Sequence, residues 1–219
     1  MNDITSKLEA NRQKGRYQAE EQRTNILDAA ETLFLQNGLA NTSMVDIAAQ
    51  AGITKVTLYR YFPNRDAIAL EIQARAMERI ASLVDLRDQA ISLESVKELA
   101  RAMIRNYRSL RDAYRYMGMF DELYLDHPPD VALTQWTKNQ LISFTWHGAT
   151  LEKIAREHPQ GDRFIMIMST VIWFLEKLAL RGELTWSDQA VPLEEHLRSF
   201  EEMIVGYIDR FVDVKDLTG

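Results

Sequence analysis

The side chains best suited to chemistry lie between Thr42 and Phe62, in the run TSMVDIAAQAGITKVTLYRYF. The chemistry they suit is hydrogen bonding to an anionic polymer, not bond making. From Thr54 onward the polar set is Thr54, Lys55, Thr57, Tyr59, Arg60 and Tyr61. The first turns of a helix laid in a major groove meet base edges, while neighbouring groups hold phosphates. Lys55 and Thr57 fall where base or backbone contact is expected, and the Tyr59 and Tyr61 hydroxyls can donate to phosphate oxygens. Arg65 adds a charge-assisted phosphate contact. The competing reading is a helical hairpin that only packs.

Two short helices must position these groups. Ser43 is an N-cap with Asp46 three residues on, where a helix start favours negative charge. Met44, Ile47, Ala48 and Ala51 then share one face. Gly52 is expected to end that helix in a left-handed turn. Thr54 caps a second helix, which Pro63 stops. Ile53, Leu58 and Phe62 can pack back on the first helix, and the small Ala48 lets the axes approach. Asn64 can cap the helix that follows.

With the preceding helix ILDAAETLFLQNG, the run from Ile26 to Ala67 resembles the DNA-binding domain of the TetR/AcrR transcriptional regulators. The resemblance is carried by Gly38, Thr42, Ile47-Ala48, Ala51-Gly52-Ile53, Thr54-Lys55, Thr57-Leu58-Tyr59 and Phe62. It implies that Thr42, Thr54, Lys55, Thr57, Tyr59, Tyr61 and Arg65 lie near DNA. With Ser43 these make up the expected DNA-binding set. Val56 departs from the pattern, standing where a small residue is common. That position can alter which base is read. The resemblance also implies a homodimer on a palindromic operator, with a small-molecule effector bound in the C-terminal region.

The 219-residue chain carries a net charge of −6, which looks wrong for a DNA binder until it is divided. Residues 1–65 hold 8 basic and 7 acidic side chains, and the remainder 18 and 25. The acidity therefore belongs to the part expected to stand away from DNA, and local charge decides phosphate contact. No cysteine is present, which excludes disulfides and thiolate chemistry and fits a reducing cytoplasm. Residues 1–21 are polar, so no signal peptide is expected. The longest apolar run, 164–180, is interrupted by Ser169, Thr170, Glu176 and Lys177, so no membrane span is expected.

These signals predict an all-α protein in three parts. Residues 1–22 form a polar tail, read either as frayed or as a basic arm. Residues 23–65 form a three-helix helix-turn-helix domain. Residues 66–219 form a helical bundle for effector binding and dimerisation, with helices near 64–83, 93–109, 112–125, 129–157, 162–181 and 193–212. Helix 64–83 links the two halves and is expected to transmit the effector's signal.

In the last two helices Phe164, Met168, Val171, Leu175 and Leu178, and then Leu193, Leu197, Phe200, Ile204, Tyr207 and Phe211, recur at alternating spacings of four and three. Such seams suit helix-on-helix packing at a shallow angle. Phe164, Met168, Val171, Leu175, Leu197, Phe200, Ile204 and Tyr207 are the expected dimer interface; the alternative is the interior of a monomer. Methionines and aromatics make adaptable apolar pockets. Met103, Tyr107, Met117, Phe120, Tyr124, Trp136, Phe144 and Trp173 are the candidate effector lining, and ordinary core packing is the alternative for each.

No enzyme reading gathers support. His127, His147, His158 and His196 are scattered, and no glutamate precedes a histidine by three residues. Phosphate-binding glycine loops and nucleophile elbows are absent from the sequence. No catalytic residue, metal or cofactor is expected. The sequence predicts a DNA-binding transcriptional regulator acting as a repressor released by an apolar or amphipathic effector. The runner-up is a helical small-molecule-binding module without DNA.

Overall fold

The computed structural model describes residues 2–83, 93–124, 161–181 and 192–213. Eight α-helices and no strand are found among the described residues: α1 (Asn2–Asn37), α2 (Met44–Gln50), α3 (Lys55–Tyr61), α4 (Arg65–Ala81), α5 (Leu93–Arg105), α6 (Tyr107–Tyr124), α7 (Gly161–Arg181) and α8 (Leu193–Asp213). The chain divides into two compact units, Met1–Ile72 and Gln73–Gly219, and the division falls within α4.

In the first unit α1 begins at Asn2, so the stretch read as a polar tail continues the helix. Residues 12–21 are exposed all round it. Farther along, the spacing of Ile26, Leu27, Ala30 and Phe34 forms an apolar stripe, and all four are buried. They share the core with Ile47, Ala48, Leu58, Phe62, Ile68 and Ile72.

In the second unit α5 packs on α8, and α6 runs along α7. Sequence periodicity put the break between the first two of these helices after residue 109. It lies at Asn106, whose side-chain amide donates to the Ala102 carbonyl at 2.8 Å. Asn106 thereby competes with the helical ladder and starts a new helix. The core takes Leu99, Met103, Tyr107, Tyr114, Val171, Leu175, Leu178 and Ile208. Phe174 and Phe200 stack with ring centroids 3.7 Å apart. The helix expected at 129–157, with Trp136 and Phe144, and the loop expected between Gly182 and Pro192 lie outside the described residues.

Gly118 sets the approach of α6 to α7. A Cβ there would stand 2.7 Å from Leu180 Cδ1 and 3.0 Å from its Cγ, inside van der Waals contact. Gly118→Val is expected to force the helices apart and cost about 2 kcal/mol. Denaturant unfolding checks this, and an unchanged midpoint would show that the helices have slack here.

Candidate nucleic-acid interface

Helices α2 and α3 are built by their ends. The Ser43 hydroxyl accepts from the Asp46 N–H at 3.2 Å, and Asp46 Oδ2 accepts from the Ser43 N–H at 2.9 Å. This reciprocal pair satisfies two amides that no helical carbonyl reaches. The Ser43 hydroxyl and N–H together hold the Asp46 carboxyl below the usual carboxylate range. At the other end Gly52 has φ +67°. The Ile53 N–H returns to the Ala48 carbonyl at 3.0 Å and the Gly52 N–H to the Ala49 carbonyl at 3.1 Å. That six-to-one and five-to-two pattern needs a left-handed residue at the glycine position.

Thr54 then caps α3, its hydroxyl accepting from the Thr57 N–H at 3.1 Å and lying 2.9 Å from the Thr57 hydroxyl. One face of α3 is buried through Leu58, with Phe62 buried just beyond its end. The opposite face leaves Lys55, Val56, Tyr59 and Arg60 exposed. Val56, with 75% of its surface exposed, has no packing role in this unit. The Lys55 ammonium lies 5.8 Å from the Tyr59 ring centroid. Thr57 and Tyr61 are half-buried at the margin.

Two residues of the expected set are committed to the fold. Thr42 is 2% exposed, and its hydroxyl donates to the Gly38 carbonyl at 2.9 Å. Arg65 is partly exposed and donates through Nη1 to the Ala40 carbonyl at 3.1 Å. Ser43 and Thr54 stay exposed, but both are occupied as caps. Asn64 Oδ1 accepts from the Ala67 N–H at 2.9 Å, opening α4 as its type and place predict.

Sequence reasoning missed the residues that hold α3 in place. Arg23 of α1 forms a two-pronged ion pair with Glu71 of α4, its Nε 2.9 Å from Oε1. The guanidinium also lies 4.3 Å from the Phe62 ring centroid and reaches the Tyr61 carbonyl. One arginine thus ties the end of α3 to α1 and α4. Asn25 donates to the Ala51 carbonyl at 2.9 Å, fixing the end of α2. The only available signal was a charged or amide side chain beside an apolar stripe.

In the second unit most of the residues expected at the dimer interface face the chain's own core. Met168, Val171, Leu175, Leu197, Phe200 and Ile204 are buried within the single chain, so they offer no surface to a partner. The side chain of Phe164 lies outside the described residues, and Tyr207 is exposed. The large apolar side chains that do face outward on α7 and α8 are Met166, Trp173, Met203 and Tyr207, with Trp173 60% and Met203 58% exposed. Among the expected effector-lining residues Met103, Tyr107 and Met117 are buried, and Phe120 and Tyr124 are half-buried and in ring contact at 4.6 Å. Trp173 does not join them: it points to the surface.

A helix-turn-helix with an outward polar second helix, joined to a second helical unit, defines a helical DNA-binding regulator. Residues 26–72 match the family model described as bacterial regulatory proteins, tetR family. MftR of Mycobacterium tuberculosis, a regulator named for mycofactocin biosynthesis, is 27% identical over 192 residues, covering 85% of this chain and 90% of that protein. Two solved structures share the fold. The fatty acid degradation regulator FadR from Bacillus halodurans has a TM-score of 0.56 at 17% identity, covering 84% of this chain and 95% of the other. AibR, solved with isovaleryl coenzyme A and operator DNA, has a TM-score of 0.53 at 18% identity, covering 83% and 97%. Residues 26–72 thus carry the DNA-binding domain of the TetR family of transcriptional regulators, and the chain as a whole is similar to those regulators.

Proposed function

We propose that the protein is a homodimeric repressor that binds a palindromic operator and leaves it when a small molecule occupies the second unit. The carrying observation is the outer face of α3, where Lys55, Val56, Tyr59 and Arg60 are exposed while Leu58 holds the helix to its own core. On this reading α3 enters the major groove, and Lys55, Tyr59 and Tyr61 meet base edges and phosphates. Val56 suits a thymine methyl, the apolar feature of that groove. Thr42, Ser43, Thr54 and Arg65 act chiefly by setting the turn and caps that aim α3. The DNA-bearing unit would work in the cytoplasm, beside the chromosome.

Two-fold symmetry calls for half-sites one helical turn apart, roughly 34–36 Å, or a multiple of that. The dimer surface on this reading is the outer face of α7 and α8, carrying Met166, Trp173, Met203 and Tyr207. The effector's apolar body fits the methionine and aromatic set of α5 and α6, namely Met103, Tyr107, Met117, Phe120 and Tyr124. AibR, which shares the fold, was solved with both an acyl-coenzyme A and operator DNA, which supports pairing the two activities here.

Selection of bound sequences from random duplex DNA tests the reading. A two-fold symmetric consensus is expected, and recovery of no consensus would leave the helical binding module as the better account. On the selected site Lys55→Ala and Tyr59→Phe are each expected to weaken binding roughly five- to tenfold, about 1 kcal/mol, with the fold intact. Lys55→Ala should also lower the slope of log affinity against log salt by about one, because one phosphate contact fewer releases counterions. Unchanged affinity in both variants would remove these residues from the interface.

A further inference from the structure

The buried stripe of α1 continues past the point where the core ends. Ile26, Ala30 and Phe34 are buried on it. Arg23, one turn earlier on the same stripe, grips the end of α3 through the Tyr61 carbonyl and the Phe62 ring. Continued upstream at spacings of four and three, the stripe passes through Ala19, Arg16 and Arg12. These residues are helical and exposed. At 1.5 Å per residue Arg16 stands about 10 Å and Arg12 about 16 Å beyond Arg23 along the helix. Lys14 falls on the opposite side of α1. No ion pair to Arg12, Lys14 or Arg16 is found among the described residues.

Charge says what such a stripe can meet. Three of the eight basic residues in 1–65 are Arg12, Lys14 and Arg16, and residues 10–19 hold no acid. The rest of that span holds five basic and seven acidic side chains. Arg23 is spent on Glu71 and Arg65 on the Ala40 carbonyl, so α3 brings only Lys55 and Arg60 to a polyanion. Duplex DNA carries one negative charge per about 1.7 Å of its axis, and much of the affinity for it is phosphate contact. A helix that is polar all round has no packing of its own to hold it, and an anionic surface on its arginine side supplies that support. The major groove is about 12 Å wide, so the phosphates bordering a groove that holds α3 fall within the reach of this stripe. We propose that Arg12 and Arg16 of α1 form a second DNA contact, which takes the backbone phosphates flanking the base pairs that α3 reads. This rests on the regulator reading above, and it adds a contact that is blind to sequence.

The test titrates the full-length protein, over a range of salt concentrations, on a selected palindrome with flanking base pairs at each end and on the same palindrome without them. The parent is expected to bind the flanked duplex roughly tenfold more tightly, whatever the sequence of the flanks. Arg12→Gln combined with Arg16→Gln should erase that advantage. It should also make the slope of log affinity against log salt shallower by about two for each bound subunit. Both side chains are exposed, so the melting temperature of the double variant should match the parent's. Lys14→Gln removes the same charge as Arg16→Gln, but from the far side of the helix, and should change the slope by less than half as much. Four results overturn the proposal: no flank advantage in the parent, a parental salt slope in the double variant, equal slope losses for Lys14→Gln and Arg16→Gln, or tighter DNA binding by the double variant. The last would mean that the arginines hold an acidic surface of the protein itself. DNA selection separates the two readings. A consensus without flank advantage sinks this inference alone. No consensus, with a slope on random duplex that still depends on Arg12 and Arg16, sinks the regulator reading while keeping the contact.

Discussion

Glu176→Gln is expected to melt well above the parent at pH 8.5 and close to it at pH 4.5. Burial, reinforced by the neighbouring Asp121 charge, pushes the Glu176 carboxyl up to about 8 from an ordinary 4.5. In the unfolded chain the same carboxyl ionises near its ordinary value. The folded state therefore holds a proton that the unfolded state has lost between these two values. Stability from this group is fully present below pH 4.5 and drains away as the pH rises to about 8. Each pH unit is worth about 1.4 kcal/mol, so the whole window amounts to at most roughly 5 kcal/mol. Glutamine has the same shape and cannot ionise, so it escapes that loss. For a chain of this size the full gap corresponds to a melting temperature higher by at most roughly 10–20 °C at pH 8.5. Asp121→Asn should narrow the window by removing the like charge. Thermal melts of parent and variant across pH 4.5–9 measure it, and a constant gap would mean that Glu176 is ionised at all these values.

Local structure was legible wherever one residue type has one physical use. Ser43, Gly52, Thr54 and Asn64 could be read as caps and turn because a short hydroxyl or amide before a helix, or a glycine after it, answers a backbone need that few residues meet. The burial of Ile26, Ile47 and Leu58 followed from period. Which side chains would be spent internally could not be read. Thr42 and Arg65 look like phosphate ligands as residue types, yet the Gly38 and Ala40 carbonyls claim them. That choice depends on chain crossings that periodicity does not encode. The pairing of Arg23 with Glu71, 48 positions apart, was hidden for the same reason. Glu176 did leave a trace, as a carboxylate interrupting an otherwise apolar helix, but the trace read as an argument against a membrane span, not as a buried acid.

Trp173→Glu combined with Met203→Glu is expected to give a folded monomer that has lost DNA binding. The seam of the last two helices is legible as a pattern, and most of it packs inside the single chain. Helix α7 is apolar nearly all round. Its row through Met168, Val171 and Leu175 and its row through Met166 and Trp173 are both consistent with burial, and period alone does not say which row faces the chain's own core. The structure turns the first row inward. The second is left in water with Met203 and Tyr207 of α8, and Gly206 beside them has nothing within 4 Å of where its Cβ would be. Burying two such large side chains in a partner contributes about 2–3 kcal/mol each per subunit. The same carboxylates in a dry interface cost several times what they cost in water. The core rows are untouched, so helicity and melting of the isolated subunit should survive.

DNA affinity should fall by more than a hundredfold, because a single half-site loses the gain from tethering the second α3 to the first. Sedimentation equilibrium of the double variant gives the oligomeric state, and titration on a selected palindrome gives the affinity. A dimer of parental strength in the double variant would move the interface elsewhere. A monomer that still bound the palindrome as tightly as the parent would break the link between the outer face of α7 and α8 and the reading of two half-sites.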